Sequence, residues 1–270
     1  MARAESVRWT REHRLIALNL YCKLPFGKLH KNNAIIKEVA AKMGRSASSL
    51  AIKLCNFASL DPILRERGIV GMSGAAKDDR ELWKEFHSEF ANLETESEQM
   101  LHDLFTHDDE SELDFLQSEN VRVEPSRCPG ASIGPTEVTG TAKFRRGQQF
   151  FRQVVLNAYN VRCCMSGINV PRLLVASHIK PWREFAGERL NPRNGLCLST
   201  LHDAAFDSGL ITLDDNLRIV LSKRLKSHFP QPALEQNFVP FEGNLIGLPQ
   251  HIAEPDRDFL RYHRDSIFQR

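Results

Sequence analysis

The chain has no long apolar run. None approaches the roughly 18 to 20 residues that a membrane-spanning helix needs, which argues against an integral membrane protein. The opening Met1-Ala2-Arg3-Ala4-Glu5-Ser6 has no apolar stretch of the secretory-leader kind. Cysteine is scarce: the six stand at 22, 55, 128, 163, 164 and 197. They are too scattered for a disulfide framework in 270 residues, and that fits a reducing, cytoplasmic setting. The glycine-rich stretch Gly68–Ala76 lacks the Gly-Lys-Ser/Thr ending of a nucleotide loop. No internal repeat is visible. The rest of the composition is that of a soluble globular protein, long enough for one large domain or two modest ones.

A net charge of +2 hides three blocks. Residues 1–80 hold 15 Lys and Arg against 7 Asp and Glu; residues 81–140 hold 3 against 15; residues 141–270 hold 18 against 12. Two basic blocks flank an acidic one. Basic surface on two separate domains suits a phosphate backbone, although ordinary solvated surface has the same composition.

Thr10 is a candidate N-cap for a first helix whose inward face is Leu15, Ile16, Leu18, Leu20 and Tyr21, ended by Pro25 and Gly27. A second helix is expected over about 33–43. After Gly44 a third starts at Ser46 or Ser48. Three helices with a short turn before the last have the outline of a helix-turn-helix module. The Trp9-Thr10-x-Glu12 opening and the Gly44-Arg45-Ser46-x-x-Ser49-Leu50-x-x-Lys53 turn also resemble Myb/SANT-type units. In such a unit Arg45, Ser48, Ser49 and Lys53 would meet phosphates or base edges. The other reading is a small bundle used for dimerisation. One long amphipathic helix is expected from Asp78 to Phe105, packed on this unit or paired with a second chain. Residues 106–140, acidic and then rich in Pro, Gly, Ser and Thr, read as a linker. The expected domains are therefore 1–105, helical, and 141–270, joined by 106–140.

In the last block a helix is expected over Lys143–Asn160, a β-hairpin over Gly209–Leu221, a strand near 244–248 and a helix over about 255–268. Between the first two lies the densest chemistry. A strand-like run from Leu173 ends in Ala176-Ser177-His178-Ile179-x-Pro181-Trp182. Then comes Asn194-Gly195-Leu196-x-Leu198, and then a helical Leu201-His202-Asp203-x-x-Phe206-Asp207-x-Gly209-Leu210. Asp203 and Asp207, four apart, share a helix face, so both carboxylates can reach one ion. Asp207 would sit at the negative end of that helix, where an acid is disfavoured by about 0.3 to 1 kcal/mol unless a cation is bound.

This joint pattern resembles the HNH (His-Me finger) endonucleases, bacterial restriction or defence nucleases among them. The resemblance covers about 145–270. It implies an α+β fold: a C-terminal ββα-metal domain with flanking helices and a β-hairpin, here preceded by an all-α domain. It implies His178 as general base and Asn194 as the residue that holds the loop and orients it. The helix ligand would be Asp203, or His202 if the register slips by one, with Asp207 as a second. Many members carry Asp or His just before the catalytic histidine. Here that place is Ser177, a weak ligand, so waters would complete the shell, which suits Mg²⁺ or Mn²⁺. Cys163-Cys164 and Cys197 do not form the paired Cys-x-x-Cys knuckles of many members, so no structural zinc is expected and Cys164 and Cys197 are assigned to the core. Lys180, Arg183, Arg189 and Arg193 would clamp neighbouring phosphates. The expectation is a metal-dependent endonuclease acting on double-stranded DNA as a homodimer. The rival is a DNA-binding transcriptional regulator with a silent nuclease fold.

Overall fold

A computed structural model describes residues 8–69, 72, 74–88, 90–107, 111–115, 121–125, 138–182, 184–250 and 252–270. The chain divides into two units, residues 1–153 and 154–270. The division falls inside a helix, later than the end expected for the linker.

The first unit opens with α1 (Arg11–Lys23), α2 (Ala34–Lys42) and α3 (Ala47–Ala58), each started by the side chain of Thr10, Asn33 or Ser46 accepting from a first-turn amide. Short α4 (Pro62–Glu66) follows, then α5 (Lys77–Ser88) and α6 (Phe90–Asp103). Both lie within the stretch expected to be one helix, and both pack on α1. The apolar stripe that suggested a dimer surface is used up inside the unit: Leu82, Phe86, Leu93 and Leu101 are buried with Leu15, Leu18, Leu50, Leu54 and Phe57.

The unit is not all-α. Strands β1 (Ser111–Asp114) and β2 (Arg122–Pro125) pair antiparallel within the stretch expected to be a linker. The physical reason is apolar content among the acids. Leu113 and Phe115 are buried, and Gln149 donates to the Leu113 carbonyl at 2.8 Å. The buried Arg146 guanidinium reaches the Ser111 carbonyl at 3.0 Å. Both come from α7 (Val138–Ala158).

The second unit carries β3 (Leu174–His178), β4 (Gly195–Ser199) and α8 (Thr200–Asp207). β3 and β4 are antiparallel with His178 opposite Gly195 and Leu174 opposite Ser199. β4 is buried along its length, and α8 packs on both strands. The expected hairpin is β5 (Ile211–Leu213) with β6 (Ile219–Leu221). Around 244–248 only a single bridge forms, Arg218 with Leu245, in place of a strand. Helices α9 (Lys223–Lys226), α10 (Pro232–Phe238) and α11 (Arg257–Ser266) complete the unit, α11 lying on β5. Gly209 makes that last packing possible: its φ is +68°, and a Cβ there would lie 2.0 Å from the Ile267 carbonyl oxygen. Cys164 and Cys197 are buried, and the Cys164 amide donates to the Cys197 carbonyl at 2.8 Å.

Candidate active site

A cleft of about 410 Å³ opens between β3, the loop after it, α8 and α11. Ser177, His178, Trp182, Asp203, Asp207, His263 and Ile267 are among its lining residues. Three segments far apart in the chain deliver them. β3 brings His178 to its last position, where Pro181 prevents the strand from continuing. Ser199 caps α8 with its hydroxyl and so sets the register that turns Asp203 and Asp207 to one face.

His178 is held by its Nε2, 2.8 Å from the Arg189 carbonyl. A carbonyl only accepts, so the ring proton sits on Nε2 and Nδ1 is the basic nitrogen. The Trp182 ring stands edge-on to the imidazole, with centroids 5.1 Å apart. Burial lowers the histidine's pKa, and the bond to the Arg189 carbonyl opposes this. Near neutral pH the imidazole is therefore in its neutral, proton-accepting form.

Asn194 is fully buried and pins the loop that supplies that carbonyl. Its Oδ1 accepts from the Lys180 amide at 2.8 Å, and its Nδ2 donates to the Glu188 carbonyl at 3.0 Å and to the Lys180 carbonyl at 3.3 Å. The side chain thus bridges the two ends of the loop.

Asp203 and Asp207 have no cationic partner among the described residues. Burial raises the pKa of Asp203, and the Ser177 hydroxyl pulls it part of the way back. That hydroxyl is itself buried and falls short of an ordinary hydrogen bond. Asp207 is open to solvent on its outer side. Desolvation on its inner side and the charge of Asp203 push it up to about 6. Two acids that disfavour each other's charge, beside an unsatisfied hydroxyl, form an oxygen-only donor set suited to a hard cation. Among the described residues no three His, Cys, Asp or Glu side chains group as a metal site; the cleft offers two carboxylates and one hydroxyl.

Residues 163–214 match a family model described as HNH endonuclease. This stretch is similar to HNH endonucleases. The matched stretch contains β3, β4, α8 and β5, and therefore His178, Asn194, Asp203 and Asp207. No curated protein matches the chain. Among the described residues no helix is long and apolar enough to cross a membrane.

Several expected site residues lie elsewhere. His202 is buried on the far side of α8, against the rings of Phe238 and Phe241. Its Nε2 donates to the Asn237 carbonyl at 3.0 Å, so its Nδ1 accepts from the Ser199 hydroxyl at 2.7 Å. Lys180 places its ammonium over the rings of Phe259, Phe185 and Tyr262, at 4.4, 4.7 and 5.7 Å. Arg189 donates through Nε to the Trp182 carbonyl at 2.8 Å. Arg193 pairs with Asp256 at 3.0 Å and is half exposed. Arg183 lies outside the described residues.

In the first unit Lys53 is buried against Asp79, at 2.6 Å. Arg45 stacks on Trp9 at 4.0 Å, and on α3 Ser48 is exposed and Ser49 half-buried. Sequence reasoning missed His263. It stacks on Phe206 with centroids 3.8 Å apart, donates through Nε2 to the Phe206 carbonyl at 3.0 Å and accepts from Thr212 at 2.9 Å. The signal was present: Phe259, Leu260, His263 and Ile267 form one inward stripe of a helix.

Proposed function

We propose that the chain is a metal-dependent endonuclease of double-stranded DNA, built on a ββα-metal core and serving restriction or phage defence. The observation that carries this reading is one cleft holding a neutral histidine with a basic Nδ1 and two carboxylates without a cation. His178 takes the proton of the attacking water at Nδ1, while the Arg189 carbonyl stabilises the imidazolium through Nε2. Asn194 keeps that carbonyl in place. Asp203 and Asp207, with Ser177 beside them, would hold Mg²⁺ or Mn²⁺. When bound, such an ion supplies positive charge to the crowded phosphate and to the leaving oxygen. His202 takes no ligand role in this reading, since both its nitrogens are engaged. Lys180 and Arg189 brace the loop, and the half-exposed Arg193 would exchange its pairing with Asp256 for a neighbouring phosphate.

The test is cleavage of modified and unmodified duplex DNA with each metal. Wild type cuts and chelator stops it. His178→Ala slows cutting by roughly 10²- to 10⁴-fold while DNA binding persists. Undiminished cutting by that variant would remove His178 from its role. Binding without cutting under every metal would make the protein a regulator. Phage plating on cells that express wild type or His178→Ala tests the defence role. Cutting both strands requires two sites or two visits, which favours a homodimer on DNA; a monomer in sedimentation with DNA present argues against it.

A further inference from the structure

Two sets of basic side chains in the first unit stand in contrast. Arg11 and Arg14 of α1 and Lys53 of α3 are answered by the acidic helix α5, and Lys23 of α1 by Glu98 of α6. Arg11 pairs with Glu85 at 2.6 Å, Arg14 with Asp78 at 2.6 Å and with Asp79 at 3.2 Å, and Lys53 with Asp79. Arg45, at the start of α3, is spent on the Trp9 ring and on the Arg8 carbonyl, 2.8 Å away. What α3 leaves exposed is Ser46, Ser48 and Ile52, with no charge among them.

The second group is the turn before α2 and the first turn of that helix. Lys28, His30, Lys31 and Lys37 are all exposed, and none of their side chains has a partner among the described residues. Between residues 28 and 45 the only acid is Glu38, and it is occupied by the Val121 amide at 2.9 Å. The turn is braced: the Asn33 side chain donates to the Lys28 carbonyl at 3.1 Å, and the Asn33 amide to the His30 carbonyl at 3.0 Å. The backbone that carries Lys28, His30 and Lys31 is therefore held in one shape. No acid stands in the first turn of α2, so its positive end adds to them.

We propose that the first unit meets the phosphate backbone of duplex DNA through Lys28, His30, Lys31 and Lys37, and not through α3. The inference rests on DNA being the substrate of the cleft. Such contacts carry no sequence information; they hold the duplex and release counterions.

The test is binding of a labelled duplex by the full chain carrying His178→Ala, followed across a salt series. Lys28→Gln, Lys31→Gln and Lys37→Gln together should weaken binding at least about ten-fold near 0.1 M salt and flatten the salt slope by about 0.9 for each phosphate no longer neutralised. The same three positions changed to Arg should restore both. Ser48→Ala with Ser49→Ala should leave both within two-fold. Unchanged affinity and slope in the triple Gln variant overturn the proposal, as does loss of binding in the serine variant alone. If the parent chain binds no duplex at all, the DNA reading of the cleft has failed, and this surface falls with it.

Discussion

Asp79 and Asp203 are the same side chain in opposite settings. Asp79 is fully buried and answered by both Lys53 and Arg14. Asp203 is half-buried, and its nearest charged neighbour is another acid, Asp207. The first unit repeats its pattern with Lys23 and Glu98, a buried ion pair further held by Asn19. Where it has no cation to offer, as at Glu94, burial pushes the carboxyl up to about 10 and the group stays uncharged. So one unit neutralises its inward acids by pairing or by protonation. The other leaves two acids unanswered at the wall of a cleft. The first arrangement stabilises a fold. The second costs stability and makes sense where a cation is to be received.

The largest effect that would sharpen this contrast is on stability. Asp79→Ala strands Lys53 in the interior and should cost about 3–5 kcal/mol, read as a shift in the urea midpoint. A loss below about 1 kcal/mol would show that the pair is not what holds α5 to α3. Next comes acid sensitivity in the second unit. His263 is buried and neutral, its pKa lowered to about 4 by burial and by Arg264, against an opposing bond to the Phe206 carbonyl. Its unfolded value is about 6.5. The unfolded chain binds the extra proton between these values, so stability is full above pH 6.5 and is lost as pH falls toward 4, by about 3 kcal/mol. His263→Gln should flatten that acid limb; an unchanged slope between pH 7 and 4.5 would refute it.

On cleavage, Asp203→Asn should lower the rate by at least about 100-fold and raise the metal concentration needed for half activity, more than loss of an outer-shell partner does. A wild-type metal requirement would break the contrast at its centre. The smallest effect has the opposite sign. In chelator, Asp207→Asn removes a repelled charge and should raise the melting temperature by about 1–3 °C, a modest gain because solvent screens the outer side of the group. A lowered melting temperature would mean that Asp207 is structural.

Much of this arrangement was legible in the sequence because the relevant signals are local. The cap Thr10, the helix start near 33 and the alternation of 211–221 each act within a turn or a strand pair, and each element appears within a few residues of its expected place. His178 and Asp203, which line the cleft, and Asn194, which holds the adjoining loop, stood out in the sequence as a combination of motifs. What escaped depends on contacts between distant residues. Lys53 reads as an exposed base until α5 brings Asp79 to it from 26 positions away. His202 and Asp203 are neighbours in sequence and point about 100° apart around α8: His202 meets the Asn237 carbonyl, and Asp203 lines the cleft. Residues 111–125 look like linker because acids dominate them; Leu113 and Phe115 outweigh those acids only once α7 is alongside.

Gly209 has no chemistry of its own, yet it sets how far apart the walls of the reaction chamber stand. The end of α11 rests directly on its backbone, and the Gln269 amide donates to its carbonyl at 2.9 Å. A single methyl group there would lever His263 and Ile267 outward together. The gap above the two acids is thus gauged by the absence of a side chain two residues past the second of them, and a lineage seeking a wider or narrower opening would have to change the far helix rather than this position.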